Sequence, residues 1–512
     1  MLDFNVVQLT NLSLQSSSGC DVKRGHHSVF GIRGPTSLSE PRVKDALGIV
    51  PSDLPNELLS AIFENLIPER GTSHHPHPER ILAKVCKKWR SIAVQTPAFW
   101  ATISVVPHES IQLIKTYLGR SCDRPLDISL DSWRDAGIWK GPLKQRLAVL
   151  ASSSQRWHSL LLTNMGSRNI QLVLSRVNNL GYLPQLRHLT VDKRKAFALW
   201  KLRNCFPYIA AYSAPTLTAM GIVTAGHCTS SFFNSLTHLT LTTHWSGDYV
   251  IPSWRRFKQL LLSFPNLEYL RLEGVVVKFD LDAADFEFTD CPHYGVVDIP
   301  TLHTFILQPY TMEQLHCMLS GIFAPRLRHL ELFHPFGDEM YAHKGDTFWD
   351  DADTYLYDVS GNTKFPQVTT LVLNNCTDHT VVRGINFLGA FPKVEHIQLV
   401  EHDIATFSLM LSMEMESGST ESMPLLAQLK SITLSRIDED VADEELLRML
   451  FAIEAWSRFV HRRTPLTLNI HSLSPTTRWS RATRMVLERL GRHQITVVKK
   501  MLNTTADIRY IS

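Results

Sequence analysis

Val368-Thr369-Thr370-Leu371-Val372-Leu373-Asn374-Asn375-Cys376 follows Pro366 and Gln367 and carries apolar residues at relative positions one, four and six. Positions four and six, two apart, share one face of an extended strand. Pro366 ends whatever helix precedes the strand, because its ring cannot continue a helical hydrogen-bond ladder. The same spacing recurs at Trp157/Leu160/Leu162, Leu186/Leu189/Val191, Leu217/Met220/Ile222, Leu236/Leu239/Leu241, Leu267/Leu270/Leu272, Leu302/Phe305/Leu307, Leu327/Leu330/Leu332, Val394/Ile397/Leu399 and Leu429/Ile432/Leu434. Successive first positions are 19 to 41 residues apart, an irregular period centred near thirty, which is the signature of a repeat architecture.

Pro265, Pro300, Pro325 and Pro392 stand two places before four further copies. Between copies lie helical stretches such as 256–264, 312–323 and 385–391, with apolar residues three or four apart. Strands alternating with helices at this spacing predict a parallel sheet with the helices outside. The unit resembles the leucine-rich repeat, L-x-x-L-x-L followed, after two intervening residues, by Asn or Cys. Val368 to Cys376 fits it fully, whereas His244, Val275, Pro335 and Ile437 stand at the Asn/Cys place of other copies. The resemblance implies an α/β fold, an irregular leucine-rich-repeat-like solenoid, over 120–475.

A different pattern precedes it. In Leu54-Pro55-Asn56-Glu57-Leu58-Leu59-Ser60-Ala61-Ile62-Phe63-Glu64-Asn65-Leu66, the residues Leu54, Leu58, Ile62 and Leu66 recur every four positions and share a helix face. Ser52 and Asp53 are candidate caps, Pro55 suits a first turn and Glu57 sits where the helix dipole favours an anion. A second helix is expected over 81–93, with Leu82, Val85, Cys86, Trp89 and Ile92 on one side, and Thr96-Pro97-Ala98-Phe99-Trp100 closes the block. Some fifty residues cannot bury so many large apolar side chains, so the repeats or a partner must cover part of them.

The runs Leu54-Pro55-x-Glu57-Leu58-Leu59-x-x-Ile62-Phe63-x-x-Leu66, Val85-Cys86-Lys87-x-Trp89-Arg90-x-Ile92-Ala93 and Thr96-Pro97-x-Phe99-Trp100 resemble an F-box, placed at 51–105. That resemblance implies docking on the Skp-type adaptor of a cullin-RING ubiquitin ligase through Leu54, Pro55, Leu58, Ile62, Leu66, Val85 and Trp89. The Pro-rich insertion from Ile67 to about Glu79 departs from the shorter family pattern and looks like those of many fungal F-box proteins.

Charge is nearly balanced, 52 Lys plus Arg against 49 Asp plus Glu, so no global field draws the chain to nucleic acid or an anionic membrane. The eight cysteines lack the close spacing of zinc or redox motifs, and no run of about 18 apolar residues occurs. Reduced thiols and a cytoplasmic or nuclear location are expected. His74, His75 and His77 sit among prolines without a nearby Cys and read as loop histidines rather than zinc ligands. Nothing matches a phosphate-cradling glycine loop, a metalloprotease helix or a nucleophile elbow, so neither an enzyme nor a bound cofactor is expected.

Two acidic segments interrupt the repeats. Residues 280–298 hold six Asp or Glu and no Lys or Arg, while 335–365 hold seven against Lys344 and Lys364. Both contain aromatics, and they read either as solvated loops or as the capture surface for a basic target, with Trp349, Asp350, Asp351 and Asp353 as candidate contacts. Residues 478–500 run the other way, seven Arg or Lys against Glu488, and read as a basic amphipathic helix capping the last repeat over 476–512. Residues 1–50 lack periodicity and read as a flexible leader. The whole then reads as a substrate receptor that holds a protein target for a ubiquitin ligase, with an adaptor-binding scaffold of non-degradative role as the alternative.

Overall fold

Among the described residues, fourteen strands lie side by side in one sheet, in the order of the chain and all parallel, in a computed structural model of the protein. The structure describes residues 54–66, 78–133, 140–180, 183–192, 219–222, 236–242, 253–277, 295–333, 355–358, 360–374, 387–400, 407–409, 411–412, 426–437, 443–459, 466–472, 480–492 and 495–501. Those from Pro55 onward belong to one compact unit.

Three helices come first: α1 (Asn56–Glu64), α2 (Pro78–Val85) and α3 (Lys87–Gln95). The sheet then runs through β1 (Thr102–Val105), β2 (Leu126–Asp131), β3 (Trp157–Thr163), β4 (His188–Asp192), β5 (Ala219–Ile222), β6 (His238–Thr242) and β7 (Tyr269–Glu273). After β8 (Val297–Asp298) it continues with β9 (Thr304–Gln308); β10 (Ile322–Phe323) leaves the sheet to pair with β8. It ends with β11 (His329–Phe333), β12 (Thr370–Asn374), β13 (His396–Val400), β14 (Ser431–Ile437), β15 (Leu466–Ser472) and β16 (Ile495–Met501). Between strands stand α4 (Ile111–Arg120), α5 (Lys140–Ala151), α6 (Ser167–Asn179), α7 (Trp254–Leu262), α8 (Met312–Gly321), α9 (Asp443–Phe459) and α10 (Arg481–Arg492).

The register follows the apolar spacing. Leu270 lies opposite Leu239 and Phe305, and Leu272 opposite Leu241 and Leu307. The fourth and sixth residues of all ten copies line up in this way, from Leu160 and Leu162 to Ile432 and Leu434. Leu239, Leu270, Phe305, Leu330, Leu371 and Ile432 have no exposed surface. Each such burial stabilises by about 2 kcal/mol, which makes a one-residue slip of any strand costly.

The prolines set the entry to each strand. The amides of Leu267, Leu302, Leu327, Val368 and Val394 donate to the carbonyls three residues earlier, at 3.0 to 3.3 Å, with proline second in each turn. Its fixed φ suits that place. The next two amides then share one carbonyl of the preceding strand's entry: His303 and Thr304 donate to Glu268 at 2.8 and 3.0 Å, and Thr369 and Thr370 to Arg328 at 2.9 Å.

Several expectations change. The sheet begins at Thr102, inside the segment read as F-box, and ends at Met501, inside the segment read as a helical cap. That basic segment is a helix followed by an edge strand, because Ile495 to Val498 alternate as a strand and pair with β15. The helix expected over 81–93 is two helices, since Cys86 takes an extended conformation (φ −155°) and caps α3 by accepting from the Trp89 amide at 3.4 Å. The end of the second acidic segment is core rather than loop: Tyr355 is 1 % exposed and stacks on His316, and buried Lys364 donates to the carbonyls of Ser320 and Tyr355, each at 3.0 Å.

Candidate functional site

The helical block before the sheet has an inward and an outward side. On α1, Leu59 and Phe63 are 2 % and 1 % exposed, whereas Leu58 and Ile62, also four apart, are 53 % and 49 % exposed. Pro55 occupies the N-cap place without a side-chain bond, one residue earlier than the first-turn place expected of it. The candidate caps Ser52 and Asp53 lie outside the described residues. Asn65 closes the helix, its Nδ2 donating to the Ala61 carbonyl at 2.9 Å, and Leu66, just past that cap, is half exposed. Leu54 is partly buried and Pro55 exposed.

On α2 the same division holds. Leu82 and Glu79 are buried, while Ile81 and Val85, four apart, face outward with more than half their surface exposed. The spacing around Cys86 hides this in the sequence: Ile81 goes unnoticed when 81–93 is taken as one helix, because the break at Cys86 reorients everything after it. Val85 and Trp89, expected on one helix face, stand on separate helices. Trp89 lies partly buried against Phe63. Arg90 bridges the break by donating its Nε to the Ala83 carbonyl at 2.7 Å.

Behind α3 the block joins the sheet. Trp100 donates its Nε1 to the Ala93 carbonyl at 2.9 Å, meets Tyr117 edge to face at 4.9 Å, and carries the Arg120 guanidinium 4.4 Å above its ring. Tyr117 in turn donates to the buried carboxylate of Glu79. Burial, reinforced by that carboxylate, pushes the Tyr117 hydroxyl well above the usual tyrosine pKa, so it stays a donor.

Among the described residues, eleven large apolar side chains are exposed, and five of them (Leu58, Ile62, Leu66, Ile81, Val85) fall within 58–85. Scattered exposed apolar residues are ordinary, but this density over a fully packed inner side marks a surface suited to a protein partner. The four residues expected to meet a target, Trp349, Asp350, Asp351 and Asp353, lie outside the described residues.

Residues 51–106 match the F-box-like family, so the chain carries an F-box-like domain there. No curated protein matches the chain. Among solved structures it is similar to one described as the crystal structure of Rad7 and Elc1 complex in yeast, at 15 % identity over 88 % of this chain and 88 % of that one, with a TM-score of 0.34.

Proposed function

We propose that this protein is the substrate-recognition subunit of a Skp-cullin-F-box type ubiquitin ligase. The observation that carries the reading is the set of exposed apolar residues on α1, just past its C-cap and on α2, Leu58, Ile62, Leu66, Ile81 and Val85, within a segment that matches the F-box-like family. These residues, with Leu54, Pro55 and the edge of Trp89, dock on a Skp-type adaptor and through it on a cullin. The sheet is read as an irregular leucine-rich-repeat-like solenoid, supported by its chain-order parallel pairing and recurring proline turns. The subunit performs no bond chemistry; it raises the effective concentration of target lysines near the ubiquitin-charged enzyme.

The acidic segments, apart from the buried end of the second around Tyr355 and Lys364, are read as the target-facing part; over their full lengths they carry minus eleven in a chain of overall plus three. A basic target held there associates more slowly as salt rises, because the screening length falls from about 10 Å at 0.1 M to about 3 Å at 1 M. The deciding experiment is recovery of a purified Skp-type adaptor by the full chain carrying Leu58→Asp and Ile62→Asp. Placing two carboxylates in an apolar interface abolishes recovery while the melting of the sheet is unchanged. Undiminished recovery by this variant rejects the docking surface.

A further inference from the structure

We propose that Tyr117 and Glu109, both beyond the F-box-like match, position the outward face of α2 for the adaptor; this rests on the docking reading above. Glu79, in the first turn of α2, is 3 % exposed, and a carboxylate taken that far from water needs donors. Tyr117 of α4 supplies one, and the Arg80 Nε lies 3.8 Å from the same oxygen. The neighbouring Arg80 donates its Nη2 to Glu109 Oε1 at 2.7 Å.

Glu109 is itself anchored. Its main-chain oxygen accepts from Arg146 of α5, through Nε at 3.2 Å and through Nη2. The same guanidinium lies 5.3 Å over the Trp133 ring, and Trp133 Nε1 donates to the carbonyl of Val105 in β1 at 2.8 Å. Two consecutive residues of α2 are therefore tied to elements built into the sheet, and Ile81 is the next residue along. Because successive helical residues differ by about 100° around the axis, holding Glu79 inward and Arg80 toward Glu109 sets which way Ile81 and Val85 point. The docking face is thus completed by residues that the family match does not include.

The test uses the full chain with Tyr117→Phe, which keeps the ring on Trp100 but removes the donor, alone and with Glu109→Ala. Amide exchange over 78–85 and dissociation from an immobilised Skp-type adaptor are both read. Losing the donor to a buried carboxylate should speed each by roughly tenfold, with exchange in β6 to β14 unchanged. Adding Glu79→Met to Tyr117→Phe removes the buried charge and should restore slow exchange and slow dissociation, which a mere packing role for Tyr117 would not produce. Wild-type exchange in Tyr117→Phe, or no rescue by Glu79→Met, overturns the proposal. A wild-type chain that fails to bind the adaptor overturns the docking reading, and the exchange measurement still decides whether Tyr117 and Glu109 anchor α2.

Discussion

Phe63 and Trp89 meet edge to face, with ring centroids 4.8 Å apart and planes at 62°. Phe63 is the buried end of α1 and Trp89 lies in the first turn of α3, so this one contact joins the helix bearing Leu58 and Ile62 to the helix packed behind it. Truncating either ring leaves a cavity between α1 and α3.

Trp89→Ala is therefore expected to loosen α1 by about 3 kcal/mol, within the usual cost of deleting a packed aromatic. Amide exchange over 56–64 should rise by two orders of magnitude while the strands keep their protection. Unchanged exchange in α1 would mean the two rings contribute nothing to its docking.

The register of the sheet was legible because apolar residues at positions four and six recur in ten copies, and each pairs with its neighbours as that spacing requires. The outer strands were harder to see. In β2 and β15 a proline, Pro125 or Pro465, takes the first place, and in β16 it is Gln494, so the apolar triplet is incomplete. Strand β1 does complete it, as Trp100/Ile103/Val105, but Trp100 also closes the helical block and was absorbed there. Local pattern cannot assign a residue that serves two neighbouring elements. At the site, the four-residue spacing exposed Leu58, Ile62 and Leu66, whereas Ile81 depended on a helix break made by one cysteine side chain capping the next helix.

Gly321, the last residue of α8, sits against Trp254 of α7; a methyl group there would fall 2.4 Å from Cζ2 and 2.6 Å from Cη2 of the indole. Trp254 is 2 % exposed and cannot swing away. Gly321→Ala should destabilise by about 1 to 3 kcal/mol, as overpacking does. Combining it with Trp254→Phe, which shortens the ring, should cost less than the sum of the two single changes in urea melts. Simple additivity would show that the clash relaxes elsewhere.

Glu454 of α9 is 3 % exposed and takes Arg458 on Oε1 and Arg489 of α10 on Oε2, each at 2.6 Å. Both arginines are about half exposed, which screens the pair. Glu454→Ala should still cost about 2 kcal/mol, because it leaves two guanidinium groups facing one another. Arg489→Leu combined with Glu454→Leu should recover most of that loss. Denaturant melts of the three proteins at one salt concentration distinguish pairing from packing, and a double variant no better than Glu454→Ala would count against pairing.

Asp131 closes β2 with its carboxylate turned along the sheet. Its Oδ1 accepts from Thr163 Oγ1 at 2.8 Å and Asn164 Nδ2 at 2.9 Å, and its Oδ2 from Ser132 Oγ at 2.9 Å. Burial alone would raise its pKa; the three donors outweigh burial and hold it below the ordinary aspartate value. The folded value thus lies below the unfolded one of about 3.9, so the charged form contributes stability that is complete above that pH and is lost as pH falls through the folded value. The same bonds restrain Ser132 and Asn164, whose φ angles of 61° and 49° are left-handed and unfavourable for residues with a side chain. Asp131→Asn should accordingly lower the melting temperature at neutral pH, and the gap to the wild-type chain should narrow steadily below about pH 4. Melting curves from pH 2.5 to 7 decide it: a gap that stays constant across that range would show that Asp131 acts through shape alone and that its charge is not what holds the two left-handed residues in place.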